Sequence, residues 1–409
     1  MTIAPTNRQP PVATPPDTPV SDVDPFSHDV LEEPGQFHAE LREAGPVVYL
    51  SKYDLYAMGR YEQVRAAQTS WQDFESSAGV GLANIRTETF WRRPGVLLEA
   101  DPPLHDAPRA VLSKILGPRA LRRLQARWTT DAIALVDEVL SRGLELDAAT
   151  DLAAAFPLRV FPDAIGIPQE GRENLLPYGD HIFNTFGPNN DLVAKGAERA
   201  PQLLAYAEAQ CARENLTEDS LGARVWAAAE RGDITPEQAP LVVRTMLSAG
   251  VDTTIHSLAG LLFAMATNPM AWQRLREDRG LVRTAFDEAI RWESPAQTSF
   301  RTTTQDIRIG DTVVPAGKKI LMFLGSANRD PRRWQNPEVF DLDRDPSGHV
   351  GFGMGIHQCV GQHVARLEAQ ALINALADRV TGFELASPPK RHHNNTLRAW
   401  ASIPVRLCL

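Results

Sequence analysis

Beyond Asp106 the apolar residues recur at helical spacing, with Leu112, Ile115 and Leu116 followed, after Pro118, by Leu121 and Leu124. The longest apolar stretch, Leu241 to Ala266, predicts a buried helix from about Glu237 to Ala266. Thr235-Pro236 enters it as a threonine cap with proline at the first helical position, and Thr267-Asn268-Pro269 ends it. A second helix is predicted over about Gly280 to Trp292, stopped by Glu293-Ser294-Pro295, and a last one over about Val360 to Ala377. The chain between Asn336 and Met354 reads as loop. Strand patterns are short: Val47 to Leu50, Ile307 to Ile309 before a Gly-Asp turn, and Lys319 to Phe323. These patterns predict a mainly α chain with small β-sheets, and no internal repeat or interdomain linker divides it.

Composition fits one large buried core: 409 residues, 43% hydrophobic and 23% charged. Residues 1–24 are rich in proline and threonine and lack the charged and apolar regions of a signal peptide, which predicts a disordered tail before a single domain over 25–409. Arg244, Asp252 and His256 interrupt the longest apolar stretch and argue against a membrane span. A formal charge of −9 argues against nucleic acid as a general partner. Cys211, Cys359 and Cys408 lie far apart, so neither a disulfide framework nor a four-thiolate zinc site is available, and the usage is that of a cytoplasmic protein.

The densest chemistry lies in Gly351-Phe352-Gly353-Met354-Gly355-Ile356-His357-Gln358-Cys359-Val360-Gly361, a glycine-rich loop that delivers one cysteine to the start of a helix. Glycines let backbone amides approach the sulfur, the helix N-terminus favours negative charge, and Phe352 can screen the site from water. Such a thiolate suits an iron ligand. Cys211 and Cys408 have no such context and read as small buried hydrophobes.

This loop resembles that of the cytochrome P-450 family, F-G-x-G-x-H-x-C-x-G, at every specified position from Phe352 to Gly361. The resemblance extends over nearly the whole chain after the tail. It implies a cytochrome P-450 fold, a triangular helical prism enclosing haem b (iron protoporphyrin IX) with Cys359 as the metal ligand. The family's E-x-x-R motif corresponds to Glu288 and Arg291, three apart on one helix face, and a third partner often comes from the segment that here contains Asn336 to Phe340 and Arg344. His105, Arg109, Arg301 and His357 fall at the family's propionate-binding positions.

Ala249-Gly250-Val251-Asp252-Thr253 matches the family's A-G-x-D-T segment, which implies that Asp252 and Thr253 relay protons during oxygen activation and that Gly250 weakens the helix beside the iron. A peroxide-driven peroxygenase or a non-enzymatic haem sensor or carrier would share the cysteine loop without needing that acid–alcohol pair. No flavin, nicotinamide or iron–sulfur fingerprint is present, so electrons must come from other proteins. The resemblance implies a ferredoxin fed by a flavin-dependent NAD(P)H reductase, docking near Lys114, Arg119, Arg122, Arg123 and Arg127.

Further stretches resemble bacterial members that oxidise para-substituted benzoates, typically by O-demethylation: Trp91-Arg92, Leu97 to Pro103, Phe183 to Pro188, Ser248 to Thr254, and Asn394 to Arg398. In that subgroup an arginine at the Arg92 position helps hold the carboxylate and phenylalanines such as Phe183 and Phe186 sandwich the ring. Arg92, Leu98, Phe183, Phe186, Thr245, Ala249, Ala296 and Ser299 are the candidate substrate contacts. Gly95 and Thr245 replace serines of the subgroup, and Ser299 replaces a phenylalanine. Thr245 retains a hydroxyl to donate, while Ser299 and Ala296 widen the pocket. A bulkier substituted aromatic acid is the expected substrate, with terpenoid hydroxylation as the alternative.

Overall fold

The computed structural model describes residues 18–88 and 90–409. Among the described residues a helical body carries four small sheets, of which the largest has six strands. That sheet orders β1 (Val20–Ser21), β2 (Val48–Leu50), β3 (Leu55–Met58), β6 (Lys319–Phe323), β5 (Thr298–Thr303) and β4 (Phe74–Glu75). The predicted pieces at 47–50, 307–309 and 319–323 are all strands, at most one residue shorter than expected.

Part of the expected tail belongs to this sheet. Residues 1–17 lie outside the described residues, but Val20 and Ser21 pair in parallel with Tyr49 and Leu50. Asp24 then accepts hydrogen bonds from Lys52 Nζ at 2.6 Å and Tyr53 Oη at 2.7 Å. Residues 18–24, expected within the tail, are therefore part of the fold.

Eight helices position the cavity described below: α1 (Asp106–Ile115), α2 (Pro118–Arg142), α3 (Ala155–Ile165), α4 (Leu175–Asn184), α5 (Ala239–Gly250), α6 (Asp252–Thr267), α7 (Val282–Glu293) and α8 (Gln362–Ala377). Pro118 opens α2 after Gly117, and its buried positions Trp128, Ala132, Leu135, Val136 and Val139 form one stripe. That stripe packs on α8, which buries residues around most of its circumference. Burying apolar surface at this interface stabilises by roughly 25 cal/mol per Å² removed from water.

The predicted long helix is divided. It begins at Ala239, preceded by a reciprocal cap in which Gln238 N donates to Thr235 Oγ1 and Thr235 N donates to Gln238 Oε1. Pro240, not Pro236, occupies its first turn. At Val251 the helix is interrupted for one residue, its backbone distorted within the αR region (φ −97°, ψ −69°), and the hydroxyls of Thr253 and Thr254 donate to the Ala249 and Gly250 carbonyls at 2.7 and 3.2 Å. Gly250 has a packing reason as well as a conformational one: a Cβ there would lie 2.2 Å from Phe161 on α3. The combined span Ala239–Thr267 is long and apolar enough to cross a membrane, but 72% of its most apolar window is buried inside the protein.

Candidate active site

The cysteine loop is held by its own backbone. Cys359 N donates to Phe352 O at 2.8 Å, and Gly353 and Gly355 adopt φ of 65° and 67°. A side chain at Gly355 would also meet the Gln68 carbonyl at 2.6 Å, so the turn can approach that chain only as glycine. Burial pushes the Cys359 thiol up, opposed by backbone N–H groups of Gly361 and Gln362 and by Arg109 and Arg366. Those N–H groups open α8, and they favour a sulfur that bears negative charge.

Behind the loop lies a buried clamp. Arg291 donates from Nε and Nη2 to the two Glu288 oxygens at 2.7 Å each, with both side chains fully buried. Arg344 supplies the third member, its Nε donating to Glu288 Oε1 at 3.0 Å. Arg291 Nη1 reaches the carbonyls of Asn328 and Pro337, and Asn328 Oδ1 accepts from Val350 N at the start of the cysteine loop. The clamp thus fixes where the loop begins.

One cavity is lined by this loop and by α5 and α6, and Cys359, His105, Arg109, Arg301 and His357 belong to its wall. His105 and Arg301 are buried, and the rings of His105 and His357 meet at 4.9 Å. His105 Nε2 has no hydrogen-bond partner, and Arg301 donates only to the Phe300 carbonyl and, at 3.4 Å, to Ser299 Oγ. Burial lowers Arg301 to about 10, partly offset by Asp101. Asp101 itself is engaged by His357 Nε2 and by Ser76 and Ser77 N. The Arg301 guanidinium and the unpartnered His105 Nε2, beside a cysteine with helix-terminal amides, fit a haem with its propionates, so these residues suit haem b.

The same cavity is lined by Arg92, Leu98, Phe183, Phe186, Thr245 and Ala249, with Ala296 and Ser299 on its wall. Ser299 and Arg301 alternate on β5, which turns both toward the cavity. Two expectations are corrected here. Phe183 and Phe186 do not form a parallel slot: their rings pack on each other edge to face, 5.9 Å apart at 84°, the arrangement their quadrupoles favour. Thr245 spends its proton within its own helix, donating to the Leu241 carbonyl at 3.0 Å.

Arg92 also differs from expectation. Its Nη1 and Nη2 donate to the two oxygens of Glu99 at 2.9 Å each, in a nearly fully buried pair. Sequence reasoning missed Glu99 as a site residue and treated Arg244 only as an obstacle to a membrane span. Arg244 lines the cavity from α5, and its buried Nη1 has no partner. An arginine within the most apolar helix was the available signal.

Asp252 does not line the cavity. Its Oδ2 is buried without a hydrogen-bond partner, and so close to α4 that a Cβ on Gly179 would lie 1.8 Å away. Burial and the Asp180 carboxylate hold its carboxyl well above the usual carboxylate range. Asp180 in turn meets the half-exposed His392 at 2.7 Å, and His256, one turn along α6, has a buried unpartnered Nδ1. Thr253 lines the cavity, its hydroxyl bonded back to Ala249 with Oγ1 lone pairs still able to accept.

A cytochrome P450 family model matches residues 204–406. Cytochrome p450 CYP199A2 of Rhodopseudomonas palustris is 51% identical over 385 residues, covering 94% of this chain and 93% of that protein. Beta-dihydromenaquinone-9 omega-hydroxylase of Mycobacterium tuberculosis is 30% identical over 396 residues, covering 94% and 78%. The solved structure of P450BioI in complex with hexadec-9Z-enoic acid ligated acyl carrier protein aligns with a TM-score of 0.83 at 26% identity, covering 93% of this chain and 100% of that one. With identity sustained across almost the whole length, the cavity-lining cysteine and its surroundings have a family to answer to: this chain belongs to the cytochrome P450 family and is a haem b-dependent monooxygenase.

Proposed function

We propose that this monooxygenase oxidises a substituted aromatic acid, with Cys359 as the iron ligand and electrons supplied by a ferredoxin and its flavin-dependent reductase. The observation that carries the substrate assignment is the unpartnered, buried Nη1 of Arg244 in the lining of the same cavity as Cys359. A buried guanidinium with a free donor attracts a carboxylate, and the apolar walls suit a ring. Phe183 and Phe186 offer the ring an edge-to-face pair to lie against, so the far substituent points toward Cys359. O-demethylation or hydroxylation at that substituent is the proposed reaction.

The bound haem supplies oxygen binding and reduction by two external electrons. Asp252, buried with an unpartnered Oδ2, is the proposed acid, and Thr253 Oγ1 the acceptor that orients the proton's destination. Asp180, which acts electrostatically on Asp252 and is hydrogen-bonded to the half-exposed His392, is the proposed link to the surface. For electron delivery, Arg119, Arg122 and Arg123 stand exposed on α2, which packs on the helix that follows Cys359. Arg127 is excluded from this patch because Asp163 and Asp131 neutralise it.

The Arg92–Glu99 pair favours the second reading, a neutral apolar substrate such as a terpenoid. Titrating 4-methoxybenzoate and its methyl ester against the haem Soret band decides between them. The acid is expected to bind about 10- to 150-fold more tightly, the equivalent of one charge-assisted hydrogen bond. Equal affinities, or a preference for neutral terpenoids, reject the aromatic-acid assignment.

A further inference from the structure

We propose that Glu99 is a selectivity residue: a built-in carboxylate that occupies the Arg92 fork and limits how strongly the cavity holds an anionic substrate. The inference rests on the aromatic-acid reading and deepens it.

Three donors hold Glu99 in place. Arg92 Nη1 and Nη2 bond its two oxygens at 2.9 Å each, and Gly95 N donates to Oε2 at 2.6 Å. The Glu99 side chain is 3% exposed and that of Arg92 is 6% exposed. A bidentate pair of this kind leaves neither guanidinium Nη free for a second carboxylate in the same geometry. If a substrate took that fork, Glu99 would become a buried carboxylate stripped of its cation, a strongly unfavourable state. The ion pair is therefore a competitor that the substrate must overcome or avoid.

Arg92, Glu99 and Arg244 all line the cavity. Two cations and one anion leave a net charge of +1, where Arg92 and Arg244 alone would give +2. The uncommitted donors are Arg244 Nη1 and the buried Arg92 Nε, because Arg244 Nη2 already donates to the Arg93 carbonyl at 2.6 Å. Arg92 and Glu99 both act electrostatically on Arg244, so the charge of Glu99 is felt at the guanidinium that remains available. Removing the negative charge of Glu99 while keeping its shape should strengthen acid binding selectively. Removing Arg92 alone should do the reverse, because it leaves Glu99 unopposed.

The test uses the haem-loaded full chain, with Soret titrations of 4-methoxybenzoate and its methyl ester. Glu99→Gln is expected to tighten the acid by about 10-fold, the difference between a neutral and a charge-assisted hydrogen bond, and to leave the ester unchanged. Arg92→Met is expected to weaken the acid by a similar factor. The double variant Arg92→Met with Glu99→Gln should restore acid binding to near the wild-type value, because Arg244 remains; it also removes both buried charges together, so it keeps the test available if either single variant folds poorly. An unchanged acid-to-ester ratio in Glu99→Gln, a parallel loss of both ligands, or no recovery in the double variant overturns the inference. Equal binding of acid and ester by the wild type rejects the aromatic-acid reading separately. In that case, an acid preference created by Glu99→Gln still supports Glu99 as the suppressing charge, and its absence rejects both.

Discussion

Glu288 on the cysteine side and Asp252 beside the substrate end are both buried carboxylates with opposite surroundings. Glu288 receives Arg291, Arg344 and the backbone N–H of Asp341. Asp252 Oδ2 receives nothing, and its nearest charged influence is another carboxylate, Asp180. A saturated buried acid holds neighbouring segments in place, whereas an unsaturated one is available to exchange a proton. The contrast extends to the arginines: Arg291 uses every nitrogen, while Arg244 leaves Nη1 free. Of these two pairs, Glu288 with Arg291 is saturated and holds the chain behind the cysteine loop, while Asp252 and Arg244 each keep an unmet polar atom.

The most severe test addresses the cysteine side. Cys359→His is expected to abolish the long-wavelength Soret band that thiolate ligation gives the reduced carbon monoxide complex. Persistence of that band would assign the iron to another ligand. Glu288→Ala should follow in magnitude, destabilising the fold by about 3–5 kcal/mol because Arg291 and Arg344 lose a buried counter-ion. Denaturant unfolding of the haem-loaded protein measures this.

Asp252→Asn sharpens the contrast, since it removes an acid that has no partner to lose. Stability should change by less than about 1 kcal/mol, while turnover falls roughly 100-fold, the scale of general acid catalysis. Thr253→Ala should keep substrate binding and divert electrons to hydrogen peroxide, measured as peroxide formed per NAD(P)H consumed. If Asp252→Asn unfolds the protein as readily as Glu288→Ala does, the two carboxylates are not different in kind. The smallest expected effect lies outside the cavity. Replacing Arg122 and Arg123 together by Ala should weaken ferredoxin-driven reduction by roughly 10-fold at low salt, with substrate titrations unchanged and the difference shrinking as salt screens the surface.

The cysteine side was the more legible of the two because its residues are consecutive. Gly351 to Gly361 states a turn, a helix start and a ligand within one stretch, and Glu288 with Arg291 sits on a single helix face. Arg344 was placed in the right segment, but only folding of the 336–344 loop back onto α7 shows it donating to Glu288. The substrate side draws on separate segments near residues 92–99, 183–186, 244–253 and 296–299. Sequence nominated most of these residues but not what they contact, and Glu99 escaped notice because an isolated glutamate carries no local signal.

Periodicity, punctuation and the cysteine motif determined the mainly α architecture, the main helices and the position of the proposed iron ligand. These are properties of neighbouring residues, fixed by backbone geometry and local hydrogen bonding. Tertiary structure decided the commitments of the charged groups: Arg92 to Glu99, Thr245 to its own helix, Asp252 to a site under α4. It also decided that the long helix breaks at Val251 and that the segment from residue 18 joins the sheet. Pairing between distant residues depends on which of several possible partners packing brings within hydrogen-bond distance, and that choice is made only when the whole core closes.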